Sequence, residues 1–122
     1  MPELPEVETV RRGLALKMSG RRILQAELRR PFPPALADRL DGARIGALGR
    51  RGKYILIELD ADGLLLLHLG MSGRVTAGSA SLPDAPHDHV VLRLDDGTVI
   101  RFNDPRRFGL LDYVKRLSLI HI

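Results

Sequence analysis

The stretch KYILIELDADGLLLLHL, residues 53–69, determines the fold class. It contains two apolar runs, residues 53–59 and 64–69, separated by a short polar segment that includes Gly63. Two apolar runs joined by so few residues are typical of an antiparallel hairpin. Because both runs are apolar almost without interruption, we expect these strands to be buried on both faces.

A second pair of strands is predicted farther along the chain. Residues 89–94 (HVVLRL) and 98–102 (TVIRF) flank the turn DDG, and residues 22–29 also have the composition of a strand. Strands that are apolar on both faces favour a two-layer β-sandwich or flattened barrel of about eight strands over an open sheet. The prolines of 31–34 predict a loop that leads into a short helical turn. Residues 76–86 are rich in Ala, Ser, Gly and Pro, and we predict a mobile loop there.

One helix is predicted at the N-terminus, starting at Pro5, within a fold that is otherwise mainly β. Its apolar residues recur at spacings of three and four, which places them on one helical face. These residues are Val7, Val10, Leu14 and Met18. Glu8 can form ion pairs with Arg11 and Arg12, and Gly20 is a suitable stop signal.

Length and composition limit the possible classes of protein. A chain of 122 residues with 44% hydrophobic residues fits one domain with a real core and argues against disorder. No apolar run approaches the roughly 20 residues of a membrane helix, and no signal peptide is recognisable, so we expect a cytoplasmic protein. The absence of cysteine excludes disulfides and thiolate metal sites.

The basic residues are mostly arginine. The net charge is +4, and 16 of the 19 basic residues are arginines. This bias favours bidentate contacts with phosphate or carboxylate groups, although a GC-rich genome would produce it too. A net charge of this size does not identify a partner by itself.

Several stretches are not explained by core formation. Pro2 and Glu3 precede the helix and have no structural function there, and the other stretches are GRRGKY (49–54), HLGMSG (68–73) and NDPRRFG (103–109). The stretch HDH (87–89) lacks the further ligands that a zinc site needs, so we do not expect metal binding there.

Together these stretches resemble the formamidopyrimidine-DNA glycosylases, bacterial repair enzymes that remove oxidised purines such as formamidopyrimidine and 8-oxoguanine. PELPEVETVRRGL at the extreme N-terminus, GKY, HLGMSG, HDHV and DPRRFG occur in the order and spacing of that family, over about residues 2–114. The first motif is specific because its position at the N-terminus matters. The resemblance implies that residues 1–115 form the catalytic N-terminal domain.

The chemistry of the N-terminus agrees with this resemblance. Removal of Met1 would expose Pro2 as an amine, and an α-amino group titrates near 7.7–8.0 against about 10.4 for lysine. More of such an amine is unprotonated at neutral pH, so it can attack C1′ of a deoxyribose, displace the base and form an iminium. Glu3 can transfer protons at the ring oxygen. The resemblance implies these same roles, with Glu6 supporting the site and Lys53 assisting β-elimination.

The resemblance also implies contacts with damaged double-stranded DNA, made by a monomer. A glycosylase must extrude its target nucleotide and stabilise the gap that remains. Met71 and Phe108 match the family's apolar wedges, and Arg106 matches the residue that faces the orphaned base. The resemblance implies that four further residues contact phosphates or lie close to them: His68, His87, Arg107 and Lys53.

The sequence departs from the family at its C-terminal end. Family members are considerably longer, and their second half carries a helix–two-turn–helix region and a cysteine-based zinc finger. Neither matches any part of this chain, so we expect no cofactor here and zinc only in a full-length protein. Residues 116–122 (RLSLIHI) also do not match, and we interpret them as a broken reading frame or foreign sequence after a truncated gene.

Two alternatives remain open at this point. An endonuclease VIII-type enzyme would prefer oxidised pyrimidines, although that branch usually opens with PEGPE rather than PELPE. The chain could also be a DNA-binding fragment without catalytic activity, or an inert remnant.

Overall fold

The computed structural model describes residues 4–29, 36–60, 63–70, 73–79, 88–104 and 110–115. Two helices and eight strands lie within these ranges. They are α1 (Leu4–Met18), β1 (Ile23–Leu28), α2 (Leu36–Leu40), β2 (Leu48–Arg51), β3 (Tyr54–Glu58), β4 (Gly63–His68), β5 (Arg74–Ser79), β6 (Asp88–Leu94), β7 (Thr98–Asn103) and β8 (Leu110–Lys115).

The strands form two antiparallel sheets of four strands each. One sheet has the order β1-β6-β7-β5 and the other the order β2-β3-β4-β8. The sheets form a sandwich and do not close into a barrel, and their apolar inner faces contribute most of one core cluster. The predicted fold, mainly β with an N-terminal helix, is confirmed.

The hairpin predicted from residues 53–69 is present and is buried on both faces at β4. β3 and β4 pair in register, with Ile55 opposite Leu67. Leu65 and Leu67 belong to the main core, whereas Leu64 and Leu66 pack in a second cluster on the other face of the sheet. Alternate leucines of this run are therefore buried on opposite faces of the sheet, as the pattern predicted.

Helix α1 packs its apolar face against the core and ends where the sequence indicated. Val7, Leu14 and Met18 are buried, and Val10 is partly buried. Gly20 lies just after the helix with φ of +81°, a conformation that other residues rarely adopt. In the described ranges, neither helix is both long and apolar enough to span a membrane.

The loop predicted for residues 76–86 is wrong over its first part. Residues 76–79 belong to β5, which pairs with β7 along the edge of its sheet. Small residues suggested a loop, but an edge strand needs only main-chain hydrogen bonds on one side, and Ala77 also packs against the core. Residues 80–86 lie outside the described residues.

Candidate nucleic-acid interface

One end of the sandwich brings together polar residues from three of the stretches that core formation does not explain or from positions next to them. β4 ends at His68 and β5 begins at Arg74, so the chain passes between the two sheets at this end. Arg74 and Asp88 are both register partners of Asn103, which places the start of β5, the start of β6 and the end of β7 together. The β2–β3 turn with Lys53 lies at the same end, since Ile55 pairs with Leu67. We call this end, with these five polar residues, the rim.

Lys53 lies in a tight hairpin turn. Arg51 and Tyr54 close the turn as the last pair of β2 and β3, and Gly52 has φ of +58°. Arg50 and Arg51 precede β3, and they also belong to β2, a strand for which no range was predicted from the sequence. Lys53 is half-buried. The short connection between two paired strands keeps this residue at the rim.

Arg50 connects this turn to helix α1. Its Nη1 donates to the main-chain oxygen of Gly52 at 2.9 Å, and its Nε donates to Oε1 of Glu8 at 3.2 Å. Arg11 adds a second connection, since it donates to the main-chain oxygen of Leu48 at 3.1 Å. The start of α1 and the β2–β3 hairpin are therefore tied together by guanidinium groups.

Glu8 is the acceptor shared by three arginines. Arg11 and Arg12 donate to it from the same helix, at 2.6 and 2.8 Å, and Arg50 donates from β2. These hydrogen bonds, chiefly from Arg11 and then from Arg12, lower the pKa of Glu8 from 4.5 to about 2. The two helical ion pairs were predicted from the spacing, but the pair with Arg50 was not.

His68 has a defined donor and acceptor arrangement. Its Nδ1 accepts a hydrogen bond from the main-chain N–H of Gly70 at 3.1 Å. A neutral histidine has one protonated nitrogen, so Nε2 carries the proton and is the donor. The ring of Tyr54 lies 4.9 Å away, tilted by 60°, and restricts the imidazole further. The half-buried His68 can therefore donate from Nε2 to an acceptor such as a phosphate oxygen.

A buried polar cluster joins the start of β6 to the end of β7. Nε2 of His89 lies 2.7 Å from the main-chain oxygen of Asp104, and Nδ2 of Asn103 donates to Asp88 at 3.0 Å. Arg101 also pairs with Asp88, at 3.8 Å. Asp88, His89, Arg101 and Asp104 are all at least nine-tenths buried.

Three of the predicted site residues lie in the described part of the chain. Lys53 and His68 are at the rim, and Glu6 is an exposed residue in the first turn of α1. The remaining predictions fall outside the described residues: Pro2, Glu3, Met71, His87, Arg106, Arg107 and Phe108. Five of these seven are direct or near chain neighbours of rim residues: His87 precedes Asp88, Met71 lies between His68 and Arg74, and Arg106, Arg107 and Phe108 follow shortly after Asn103.

Sequence reasoning missed three features in or next to the rim. The Glu8–Arg50 pair joins residues far apart in the chain, and nothing in the local pattern indicated it. His89 was noted in an incomplete zinc motif, in the motif HDHV and in a predicted strand, but its bond to the main chain of Asp104 was not predicted. Arg74 is exposed at the first position of β5, and its place directly after HLGMSG could have marked it.

No metal centre is formed by the parts of the chain that the structure describes. No group of three or more His, Asp or Glu side chains in those parts is arranged to hold a metal ion. Of the stretch HDH, Asp88 and His89 instead bond to the end of β7, and His87 lies outside the described residues.

Comparison with known sequences identifies the family. The family profile described as "Formamidopyrimidine-DNA glycosylase N-terminal domain" matches residues 1–111. The chain belongs to the formamidopyrimidine-DNA glycosylase family. The glycosylase of Paracoccus denitrificans is 56% identical over 93% of the chain, and that of Rhizobium etli is 51% identical over 98%. The chain spans 45% and 47% of the lengths of these two formamidopyrimidine-DNA glycosylases.

Solved structures of formamidopyrimidine-DNA glycosylases share the fold. The Lactococcus lactis enzyme in complex with DNA containing N7-benzyl-Fapy-dG matches 98% of the chain with a TM-score of 0.93 and 32% identity. The same enzyme bound to DNA with an abasic site gives a TM-score of 0.93 at 31% identity. The chain covers 46% of each of these glycosylase chains.

Proposed function

We propose that this chain carries the catalytic N-terminal domain of a DNA glycosylase and AP lyase that removes oxidised purines from double-stranded DNA. The observation that carries the proposal is the rim, where Lys53, His68 and Arg74 lie at the same end of a fold shared with DNA-bound glycosylases. The function of the family and the chemistry of the N-terminus support it.

Pro2 is the proposed nucleophile once Met1 has been removed. The lone pair of its amine attacks C1′ of the damaged nucleotide, and the bond between C1′ and the base breaks with its electron pair going to the base. The proline nitrogen loses its proton in this step and the departing base gains one, so that the protons balance. The ring then opens at the C1′–O4′ bond, so that an iminium forms between the proline nitrogen and C1′. Glu3, the next residue, supplies the proton that O4′ takes up in this step.

Lys53 acts in the proposed strand cleavage. The iminium makes the C2′ proton acidic, and loss of that proton expels the 3′ phosphate by β-elimination. A cationic amine near the departing phosphate stabilises the negative charge that develops on it. The turn that holds Lys53 is tied through Arg50 to helix α1, at whose start Pro2, Glu3 and Glu6 lie in the sequence.

The proposed DNA contacts divide into positioning and gap filling. The Nε2–H of His68 would donate to a phosphate, and His87 and Arg107 would add further phosphate contacts, which position the duplex without reading its sequence. Met71 and Phe108 would wedge into the gap left by the extruded base. Arg106 would face the opposite base, with cytosine expected across from an oxidised guanine.

Covalent trapping tests the proposed chemistry. The chain with Met1 removed, verified by mass measurement, should be trapped by borohydride on a duplex that contains an abasic site. The same chain with an N-terminal tag should not be trapped, because the nitrogen of an internal proline has no free lone pair. Undiminished trapping of the tagged chain would mean that another amine, such as Lys53, forms the iminium.

Glu3→Gln separates the two parts of the mechanism. This variant keeps the amine but loses the proton transfer, so it should fail to excise an intact damaged base. It should still form some trapped complex on an abasic site, where the sugar carbonyl is already exposed. Equal loss in both assays would contradict the role given to Glu3.

Oxidised pyrimidines are a second candidate substrate class. A Lactococcus lactis glycosylase, 34% identical to this chain with a TM-score of 0.91, was solved in complex with DNA containing an oxidised pyrimidine. Binding of such DNA therefore does not separate the purine and pyrimidine branches. Single-turnover excision from matched duplexes separates them, and we expect faster release of formamidopyrimidine than of an oxidised pyrimidine.

A further inference from the structure

The buried polar cluster at the start of β6 and the end of β7 is not used by the chemistry proposed above. His89 is 5% exposed and Asp88 is 4% exposed, yet both have polar side chains directed to the end of β7. Burying such groups is unfavourable unless each is hydrogen-bonded. The hydrogen-bond partners of Asp88 and His89 therefore indicate what these two residues do.

A β-bulge brings both residues to the same place. The register of β6 and β7 shifts between Asp88 and Val90, so the two residues Asp88 and His89 oppose the single residue Asn103. Bulges of this kind redirect a side chain and often occur next to functional sites. Here the extra residue lets Asp88 bond the side chain of Asn103 while His89 reaches the next main-chain carbonyl, that of Asp104.

The bond from His89 has a fixed direction. A carbonyl oxygen only accepts, so Nε2 of His89 must carry the proton and donate to Asp104 at 2.7 Å. Asp104 is itself fully buried, and the chain continues from it directly into Pro105 and Arg106. The carbonyl held by His89 belongs to the last described residue before this stretch.

We propose that His89 and Asp88 are positioning residues that fix the main chain at Asp104, two positions before Arg106 in the sequence, and that they thereby support the base preference proposed for Arg106. The proposal rests on the proposed function for its consequence, the preference for the base opposite the lesion. Asp88 also follows His87 directly, so one cluster anchors the chain next to two of the predicted DNA contacts.

Two substitutions of His89 make the test specific. Glutamine can present an N–H donor near the position of Nε2, whereas asparagine presents one near Nδ1 and cannot reach Asp104. His89→Gln should therefore retain the function of His89, and His89→Asn should lose it although both variants are polar and uncharged. Thermal unfolding of both variants reports how much of any effect is loss of the fold.

The first readout is binding to a duplex with a tetrahydrofuran abasic analogue, placed opposite cytosine or opposite adenine. The parent chain should prefer cytosine by about tenfold, within the range that a bidentate base contact gives. His89→Asn should lower this ratio towards one, and His89→Gln should keep it. An unchanged ratio in His89→Asn would overturn the proposal, because loss of a purely structural contact lowers both affinities together.

The second readout does not depend on DNA. Amide hydrogen exchange at Asn103, Asp104 and Leu110 in the free chain should be faster in His89→Asn than in the parent chain, and normal in His89→Gln. Equal exchange in all three chains would overturn the proposal even if no DNA bound. If the parent chain binds the lesion duplex no better than undamaged DNA, the proposed function fails, and exchange still tests the positioning.

Asn103→Ala provides the second variant should His89→Asn not fold. It removes the bond to Asp88 at a half-buried position and leaves the buried histidine in place. The same exchange and binding measurements apply. Faster exchange at Asp104 with a lower cytosine preference supports the proposal, and no change in either contradicts it.

Discussion

Glu8 and Arg50, 42 positions apart in the sequence, form an ion pair with Nε of Arg50 3.2 Å from Oε1 of Glu8. The same guanidinium donates to the carbonyl of Gly52, the residue before Lys53. One side chain thus couples the helix that follows Pro2 and Glu3 in the sequence to the turn that carries Lys53. Surface ion pairs contribute little stability on their own, so the geometric link is the more important consequence.

Loss of this link should slow strand cleavage. We expect Arg50→Ala to lower the single-turnover rate of cleavage at an abasic site about tenfold, since small displacements of catalytic groups have large effects. Arg12→Ala is the matched control, because Arg12 also pairs with Glu8 but makes no contact with the hairpin among the contacts described. We expect it to stay within about twofold of the parent rate. Equal losses in both variants would contradict a positioning role for Arg50.

Glu8 should contribute to the acid sensitivity of the fold. Its pKa falls from 4.5 to about 2 in the folded chain, chiefly through the hydrogen bond from Arg11. A lowered pKa gives stability that is present above pH 4.5 and is lost as the pH falls towards 2. Urea unfolding between pH 5 and 2 should therefore show a shallower loss in Glu8→Gln than in the parent chain. About 1 M salt should reduce the difference, because exposed ion pairs are screened.

Gly73 has no room for a side chain. A Cβ placed there would lie 2.2 Å from the main-chain oxygen of Leu69 and 3.0 Å from the ring of Phe102. Gly73→Ala should therefore destabilise the chain by about 1–3 kcal/mol, the usual cost of overpacking. Gly49→Ala is the control, since a Cβ at Gly49 meets nothing within 4 Å, and we expect a change below about 1 kcal/mol. Chemical denaturation measures both, and equal stabilities would contradict the steric argument.

Arg74 should contact a phosphate. It is exposed at the rim, it forms no ion pair or side-chain hydrogen bond among the contacts described, and it begins the strand that follows HLGMSG. Arg74→Ala should weaken duplex binding for all sequences and reduce the slope of log K against log salt by about one. Lys17→Ala removes the same charge near Ser79 and Gly97, at the opposite end of β5, and should leave the slope unchanged. Equal slopes in both variants would remove Arg74 from the interface.

Local patterns in the sequence predicted the helices and strands well where the apolar periodicity and the turn-forming residues indicate the same boundaries. The leucine run of β4 and the turn before it indicated a hairpin that is buried on both faces. A strand with one solvent-exposed face alternates apolar and polar residues, and this run does not alternate. The apolar spacing from Val7 to Met18 predicted α1 in the same way. β5 was missed because an edge strand of small residues has neither an apolar periodicity nor clear turn residues at its ends. Its pairing with β7 depends on the rest of the sheet.

The sequence by itself determined the fold class, the family resemblance and the identity of the candidate residues. It did so because apolar periodicity and motif order are properties of neighbouring positions along the chain. Only the tertiary structure decided that Arg50 reaches Glu8 and Gly52, that a bulge aims His89 at Asp104, and that Arg74 shares an end with His68. These relationships depend on strand register and on the packing of α1 against β2, and a shift of one residue in register would turn each side chain to the other face.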